Sequence, residues 1–266
     1  STTIGKPLAR AEGWRGLAYP LSWRSLLRIA SAATVRPVRV TIALFDIDGT
    51  LLRAGGAGRR SVEAAVGHVV GRPDEVSLES MEFAGRTDLW IIREALSIAG
   101  ADPDDRLVVE VLERYVAILP KELERTSAFE VLPGVLSLLS GLAARSDFVI
   151  GLGTGNAEPA AYAKLSRGGL HSYFSFGGFG SDHIERSELL RIGLERGRRL
   201  AGEDDARAVV IGDTPRDVHA AKAVGADCVA VATGGYDESA LREAGATTVV
   251  PDLLAEEVTE ALFGKP

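Results

Sequence analysis

Val38-Arg39-Val40-Thr41-Ile42-Ala43-Leu44-Phe45-Asp46-Ile47-Asp48-Gly49-Thr50 is the stretch on which the fold of this chain turns. Residues 38–45 form an apolar run of the kind expected in a parallel strand buried on both faces. The run ends in Asp46, and a second carboxylate, Asp48, follows two residues later. The two acids therefore leave the strand end together. One can attack an electrophilic centre such as phosphorus while the other manages the proton of a leaving group. Gly49 permits a tight backbone that points amide N–H groups at a phosphate. A simple turn before a helix fits poorly, because a strand precedes the acids and Leu51-Leu52 follows them.

Outward from this segment the pattern repeats. Three further runs have the same form: 148–152 ending at Thr154, 208–211 ending at Gly212-Asp213, and 228–231 ending at Thr233. Residues 174–176 and 248–250 are weaker strand candidates. Helical periodicity lies between them, at 135–144, 159–168, 187–200, 216–224 and 238–244. Buried strands alternating with helices predict a doubly wound α/β sheet, mostly parallel, with its polar residues just beyond the strand carboxyl ends.

Residues 54–130 break the rhythm. Apolar residues at helical spacing predict helices over 59–70, 88–99 and 104–124, for example Leu107, Val111, Leu112, Tyr115 and Leu119, and no strand. The segment reads as a helical insertion joined through Gly55-Gly56-Ala57-Gly58 and residues 130–134, two joints suited to hinges or, for the first, to a simple turn. The expected organisation is an N-terminal extension at 1–37, an α/β core at 38–53 and 131–266, and the insertion at 54–130.

Two more segments carry chemistry. In Gly153-Thr154-Gly155-Asn156 a hydroxyl at the sheet edge can hydrogen-bond a phosphoryl oxygen; alone, the segment could equally be a glycine-rich loop capping a helix. In Gly212-Asp213-Thr214-Pro215-Arg216-Asp217 a buried strand again ends in acid, with a second acid four residues on. Asp213 and Asp46 could jointly hold a hard dication through oxygen. Alternatively, Asp217 is a first-turn helix charge and Asp213 a turn residue.

Composition narrows the field. The 266 residues are 46% hydrophobic and 25% charged, and no apolar run approaches a membrane span. The single Cys228 excludes an internal disulfide and a multi-cysteine zinc site, and it reads as a packed strand residue. The four histidines show no ligand spacing. Of the net charge of −7, the first 40 residues hold +6 and the remainder −13. An acidic body argues against nucleic-acid partners and is compatible with a metal-requiring site. Residues 1–40 are Arg-rich and contain Trp14 and Trp23. Residues 22–30 could form a short amphipathic helix, and the segment suits an accessory extension or a targeting peptide.

Together these segments resemble the haloacid dehalogenase superfamily, over about residues 38–250. Asp46-Ile47-Asp48-Gly49-Thr50-Leu51 is similar to its first motif, Thr154 to its second, and the segment from Gly212 to Asp217 to its acidic fourth. For the third, basic motif, Arg186 stands where many relatives have Lys, with Lys164 as the other candidate. The insertion resembles the helical type 1 cap. The resemblance implies that Asp46 is the nucleophile forming an aspartyl-phosphate and that Asp48 is the acid/base. Thr154 and Arg186 would bind phosphoryl oxygens, with Gly49, Thr50, Gly155, Asn156 and Lys164 around them. Mg2+ would be held by Asp46, the Asp48 main-chain carbonyl and Asp213, with Asp217 close by as ligand or support. Retention of Asp48 points to phosphate ester transfer rather than dehalogenation. Gly85-Arg86-Thr87-Asp88 looks like an element near the substrate in phosphoglycolate phosphatase-like relatives, so Arg86 and Thr87 join the substrate-binding set, although Thr87 or Asp88 could instead cap a helix. The expectation is a cytoplasmic monomer or homodimer that hydrolyses a small-molecule phosphate ester, with no nucleic-acid or membrane partner. The alternatives are a phosphomutase of the β-phosphoglucomutase kind and a non-catalytic phosphate-binding module.

Overall fold

The computed structural model of this chain describes residues 39–263. The possible helix at 22–30 and the extension at 1–37 lie outside them.

In chain order the elements are β1 (Thr41–Phe45), β2 (Leu52–Ala54), α1 (Ala57–Val69), α2 (Asp88–Ile98), α3 (Asp105–Arg125), β3 (Phe129–Val131), α4 (Val135–Ala143), β4 (Phe148–Thr154), α5 (Glu158–Arg167), a 3-10 turn (His171–Tyr173), β5 (Gly177–Phe179), α6 (Arg186–Ala201), β6 (Arg207–Gly212), α7 (Pro215–Ala223), β7 (Asp227–Val231), α8 (Glu238–Ala244), β8 (Thr248–Val250) and α9 (Glu256–Phe263).

Six strands form one sheet in the order β5-β4-β1-β6-β7-β8, every adjacent pair parallel. β1 lies inside the sheet and is fully buried, with Phe45 in register with Leu152 on one side and Ile211 on the other. Its side chains alternate between faces, as the two-residue period requires. Ala43 and Phe45 pack in a cluster with Leu139 of α4, Leu165 of α5 and Val258 of α9. Ile42 and Leu44 pack with Leu190 of α6, Val218 of α7 and Leu241 of α8. Helices thus cover both faces, and the chain crosses to the other side of β1 after β5. That switch opens a crevice at the carboxyl ends of β1, β4 and β6.

The strand expected at 174–176 lies at Gly177–Phe179 instead. Glycine has low strand propensity, so the run gives little local signal. Packing selects it nonetheless: a Cβ on Gly178 would run into the Leu189 carbonyl of α6, and one on Gly177 would lie 2.7 Å from the Leu152 Cβ. Cys228 is buried within β7, as read from sequence.

Residues 57–125 bring together α1, α2 and α3 around their own apolar cluster, which includes Val62, Ile92, Leu96, Val111 and Leu119. Ala157 and Ala160, at and just inside the start of α5, complete that cluster. The segment leaves and rejoins the sheet through an antiparallel pair, β2 with β3, which the sequence reading of 54–130 did not anticipate. Three-residue strands are too short to show periodicity. Helix starts are locally encoded: Thr87 accepts from the Trp90 N–H, Asp104 from the Leu107 N–H, and Thr214 with Asp217 makes a reciprocal capping box. Among the described residues no helix is long and apolar enough to cross a membrane.

Candidate active site

The carboxyl ends of two neighbouring strands and the helix that follows one of them deliver the acids. Asp46 follows β1, Asp213 follows β6, and Asp217 sits in the first turn of α7. All three are buried, and one carboxylate oxygen from each lies within 4.8 Å of the others. Local backbone makes this crowding possible. Gly49 has φ +87°, and a Cβ there or on Gly234 would run into the Asp213 carboxylate. Thr50 donates its hydroxyl to Asp213 Oδ1 at 3.0 Å. Thr233, just past β7, donates its own to the Gly49 carbonyl at 2.6 Å, fixing the loop from the other side.

Arg186, at the start of α6, is the cation among these acids. Its Nη2 lies 3.1 Å from Asp46 Oδ1 and 2.5 Å from Asp217 Oδ1. Asp217 is committed on both oxygens: Oδ2 accepts the Thr214 N–H at 3.0 Å and the Thr214 hydroxyl at 2.7 Å. Burial pushes the Asp46 carboxyl up to about 6; Arg186 opposes this, while Asp217 and Asp48 add to it. Burial, then the charges of Asp217 and Asp46, hold Asp213 well above the usual carboxylate range, against the Thr50 hydrogen bond. Burial would ease the proton off Arg186, but Asp217 and Asp46 outweigh it and hold the guanidinium charged. Three carboxylates with one arginine leave negative charge uncompensated in a buried place. An all-oxygen donor set with that surplus fits a small hard dication.

Asp48 lies on the open side. Its side chain is 43% exposed, and its Oδ2 accepts from Asn156 Nδ2 at 2.8 Å and Lys164 Nζ at 2.6 Å. Thr154, fully buried at the end of β4, accepts from the Asn156 N–H and side-chain amide, leaving its own hydroxyl proton to give. Gly155 abuts the Arg86 carbonyl so closely that no side chain fits. Both basic candidates thus enter the site, at different acids: Arg186 at Asp46 and Lys164 at Asp48.

A cleft of about 370 Å³ opens onto these groups. Asp46, Asp48, Gly49, Gly155, Asn156, Lys164, Arg186 and Asp213 line its sheet side, and Arg59, Phe83, Arg86, Ile91 and Tyr115 its helical side. Arg86 stacks its guanidinium 3.9 Å from the Trp90 ring. Thr87 lies apart from this cleft; it caps α2 and donates its hydroxyl to the Ile184 carbonyl.

Two further residues line the cleft: Asp88, which the sequence offers as part of a near-substrate element or as a helix start but not as a site residue, and Tyr115, which it marks only as an apolar-face residue. Asp88 is buried and accepts the Ala157 N–H at 2.8 Å and the Tyr115 hydroxyl. Burial lifts its carboxyl to about 6; Lys164 and the Ala157 N–H oppose this, and Asp48 adds to it.

Known proteins resemble this chain in sequence and in fold. A family model described as haloacid dehalogenase-like hydrolase matches residues 40–225. Phosphoglycolate phosphatase of Synechococcus elongatus is 29% identical over 223 residues, covering 82% of this chain and 94% of that protein. Among solved structures, a hydrolase from Pseudomonas syringae aligns with TM-score 0.58 at 21% identity, covering 81% of this chain and 94% of the other. CbbY from Rhodobacter sphaeroides, solved in complex with phosphate, aligns with TM-score 0.57 at 21% identity, covering 81% and 95%.

Proposed function

The chain belongs to the haloacid dehalogenase-like hydrolases, and from that premise we propose that it hydrolyses a small-molecule phosphate monoester in a Mg2+-dependent reaction through an aspartyl-phosphate on Asp46. The observation that carries this reading is the meeting of Asp46, Asp213 and Asp217 within 4.8 Å, with Asp48 facing the same cleft.

In the first step an Asp46 carboxylate oxygen attacks phosphorus in line, the bond to the leaving oxygen breaks, and Asp48 gives that oxygen a proton. In the second step Asp48 takes a proton from water, the water oxygen attacks phosphorus, and phosphate leaves with Asp46 restored. Arg186, the Thr154 hydroxyl and the backbone around Gly49 and Gly155–Asn156 gather the phosphoryl oxygens, so that the step rests on positioning and charge. Asp46, the Asp48 main-chain carbonyl and Asp213 would hold Mg2+, which supplies the charge that lets an anionic ester approach clustered carboxylates. Thr50 and Asp217 serve as supports, the first by fixing Asp213 and the second by fixing Arg186.

Residues 54–130 act as a cap over the cleft. The cleft volume suits a small ester, and Arg86 stands where a second anionic group of the substrate would lie. The phosphoglycolate phosphatase relative acts on a compound with such a carboxylate, so a short phosphorylated carboxylate is the substrate class proposed.

Asp46→Asn should lower kcat on an aryl phosphate by about 10⁴-fold or more while keeping the wild-type circular dichroism spectrum. EDTA should remove activity and Mg2+ restore it. Near-normal turnover by the variant, or indifference to chelation, would overturn the reading. Phosphate release from a hexose 1-phosphate without isomerisation separates hydrolysis from mutase chemistry.

A further inference from the structure

We propose that Lys164 is a positioning residue for the acid/base Asp48, and that it acts through Asp48 and Asn156 rather than by binding the substrate's phosphoryl group. The inference deepens the reading above and rests on its assignment of Asp48.

Lys164 projects from α5 with a side chain only 6% exposed. A buried ammonium must spend its hydrogen bonds on partners, and two are in place: Asp48 Oδ2 and Asn156 Oδ1, each at 2.6 Å. Asn156 turns its amide nitrogen back to the same Asp48 oxygen at 2.8 Å and to the Thr154 hydroxyl at 2.8 Å. Lys164, Asn156 and Asp48 form a closed circuit to which Thr154 is attached through Asn156, and Asn156 is oriented unambiguously, because its oxygen faces a cation and its nitrogen faces acceptors. Lys164 and Asn156 both grip the same oxygen of Asp48. Among the described residues Oδ1 has no side-chain partner, and Asp48 lines the cleft. A carboxylate pinned on one oxygen and open on the other is what proton transfer at a fixed site requires, since a freely turning carboxylate loses the alignment.

The other role open to a basic residue here, neutralising the nucleophile, is already filled. Arg186 lies against Asp46 and Asp217, and it comes from the start of α6 rather than from α5. The two cations therefore divide the two acids between them. Lys164 also acts electrostatically on the Asp88 carboxyl from across the cleft, while its hydrogen bonds go to Asp48 and Asn156.

Leaving groups distinguish these roles. An alkyl phosphate needs a proton on its departing oxygen; 2,4-dinitrophenyl phosphate does not. Rates of the phosphorylation step would be measured by single-turnover kinetics with Mg2+ present, for wild type, Lys164→Met and Asp48→Asn, on both esters. For Lys164→Met the expected result is a loss of about 10²-fold on the alkyl ester, with KM within about threefold of wild type. On the dinitrophenyl ester the burst rate should fall by less than about fivefold. Asp48→Asn should show the same asymmetry, and the double variant should be no worse on the alkyl ester than Asp48→Asn alone, as expected of residues acting as a unit.

Equal losses on both esters, or a KM increase with kcat retained, would show Lys164 binding substrate and overturn the proposal. If Asp48→Asn itself lacks the asymmetry, the acid/base assignment fails and the inference falls with it, a result distinct from failure at Lys164. Should Lys164→Met lose its circular dichroism spectrum, Lys164→Gln answers the same question. It keeps a neutral donor, and its rates must show the same asymmetry between esters for the proposal to stand.

Discussion

The two sides of the cleft are built on different physical principles. On the sheet side, the acids, Thr154 and Arg186 are fixed by backbone: they stand just past the end of a parallel strand or in the first turn of a following helix, held by neighbours a few ångströms away, and Lys164 alone reaches in from further along a helix. On the helical side, Arg59, Phe83, Arg86 and Tyr115 reach the cleft from different helices and loops, and their placement depends on how α1, α2 and α3 pack. The first arrangement concentrates buried charge at a cost in folding free energy. The second presents a mixed apolar and cationic wall that can vary without disturbing the acids. If the proposed function holds, this difference divides the labour: reaction type at the strand ends and substrate choice in the insertion.

The strongest test of that division is Asp213→Asn. Activity at saturating Mg2+ should fall by about 10³-fold or more. The metal-free protein should at the same time melt a few degrees higher, roughly, because a buried like charge is removed. Activity assays and calorimetry without metal check both halves; a variant both inactive and less stable would break the claim that these acids strain the fold. On the other wall, Arg86→Ala should raise KM for a phosphorylated carboxylate about 10- to 100-fold, while kcat/KM on an aryl phosphate without a second anion changes less than about threefold. Equal effects on both esters would erase the distinction between the walls.

The smallest effect concerns Asp88, where the walls meet. Its carboxyl titrates near 6 in the fold against 3.8 when unperturbed, a rise caused first by burial. Between those values the native state holds more protons than the unfolded chain. Asp88's contribution to stability must therefore fall as pH rises from about 4 to about 6 and level off above. Asp88→Asn removes that contribution. The stability difference, variant minus wild type, should grow by about 2–3 kcal/mol across that window, read from urea unfolding at each pH. Parallel curves would show that Asp88 is not the group responsible.

The sheet side was legible in the sequence because strand ends announce themselves: an apolar run followed abruptly by acid marks Asp46 and Asp213, and the Thr214 to Asp217 spacing marks a capped helix. The helices of 57–125 were legible from their period, to within about two residues at either end. β5 was misplaced by three residues because its glycines serve the close approach of α6, a tertiary reason without local signature. The β2–β3 pair depends on where the insertion returns. Lys164 and Arg186 could be named as rivals, but not assigned to separate acids, because that depends on which face of α5 and which end of α6 turn inward. Asp88 and Tyr115 had ordinary helical explanations, and only their meeting in the fold makes them a pair.

The start of α2 is tied into the core loop at several points. The Asp88 N–H donates to the Gly155 carbonyl at 2.7 Å, the Ala157 N–H returns to the Asp88 carboxylate, and Thr87 reaches the Ile184 carbonyl. Gly155 and Gly180 have no room for a side chain against this crossing. The insertion is therefore moored at the α2 root as well as at its two ends, and the loop before α2 adds bonds to Arg216 and Tyr236 of the core. Any widening of the entrance that moved the α2 root would have to release these bonds together. The wall carrying Arg86 is anchored at that root, so its register to the strand ends is set by the core loop rather than by the two chain crossings alone.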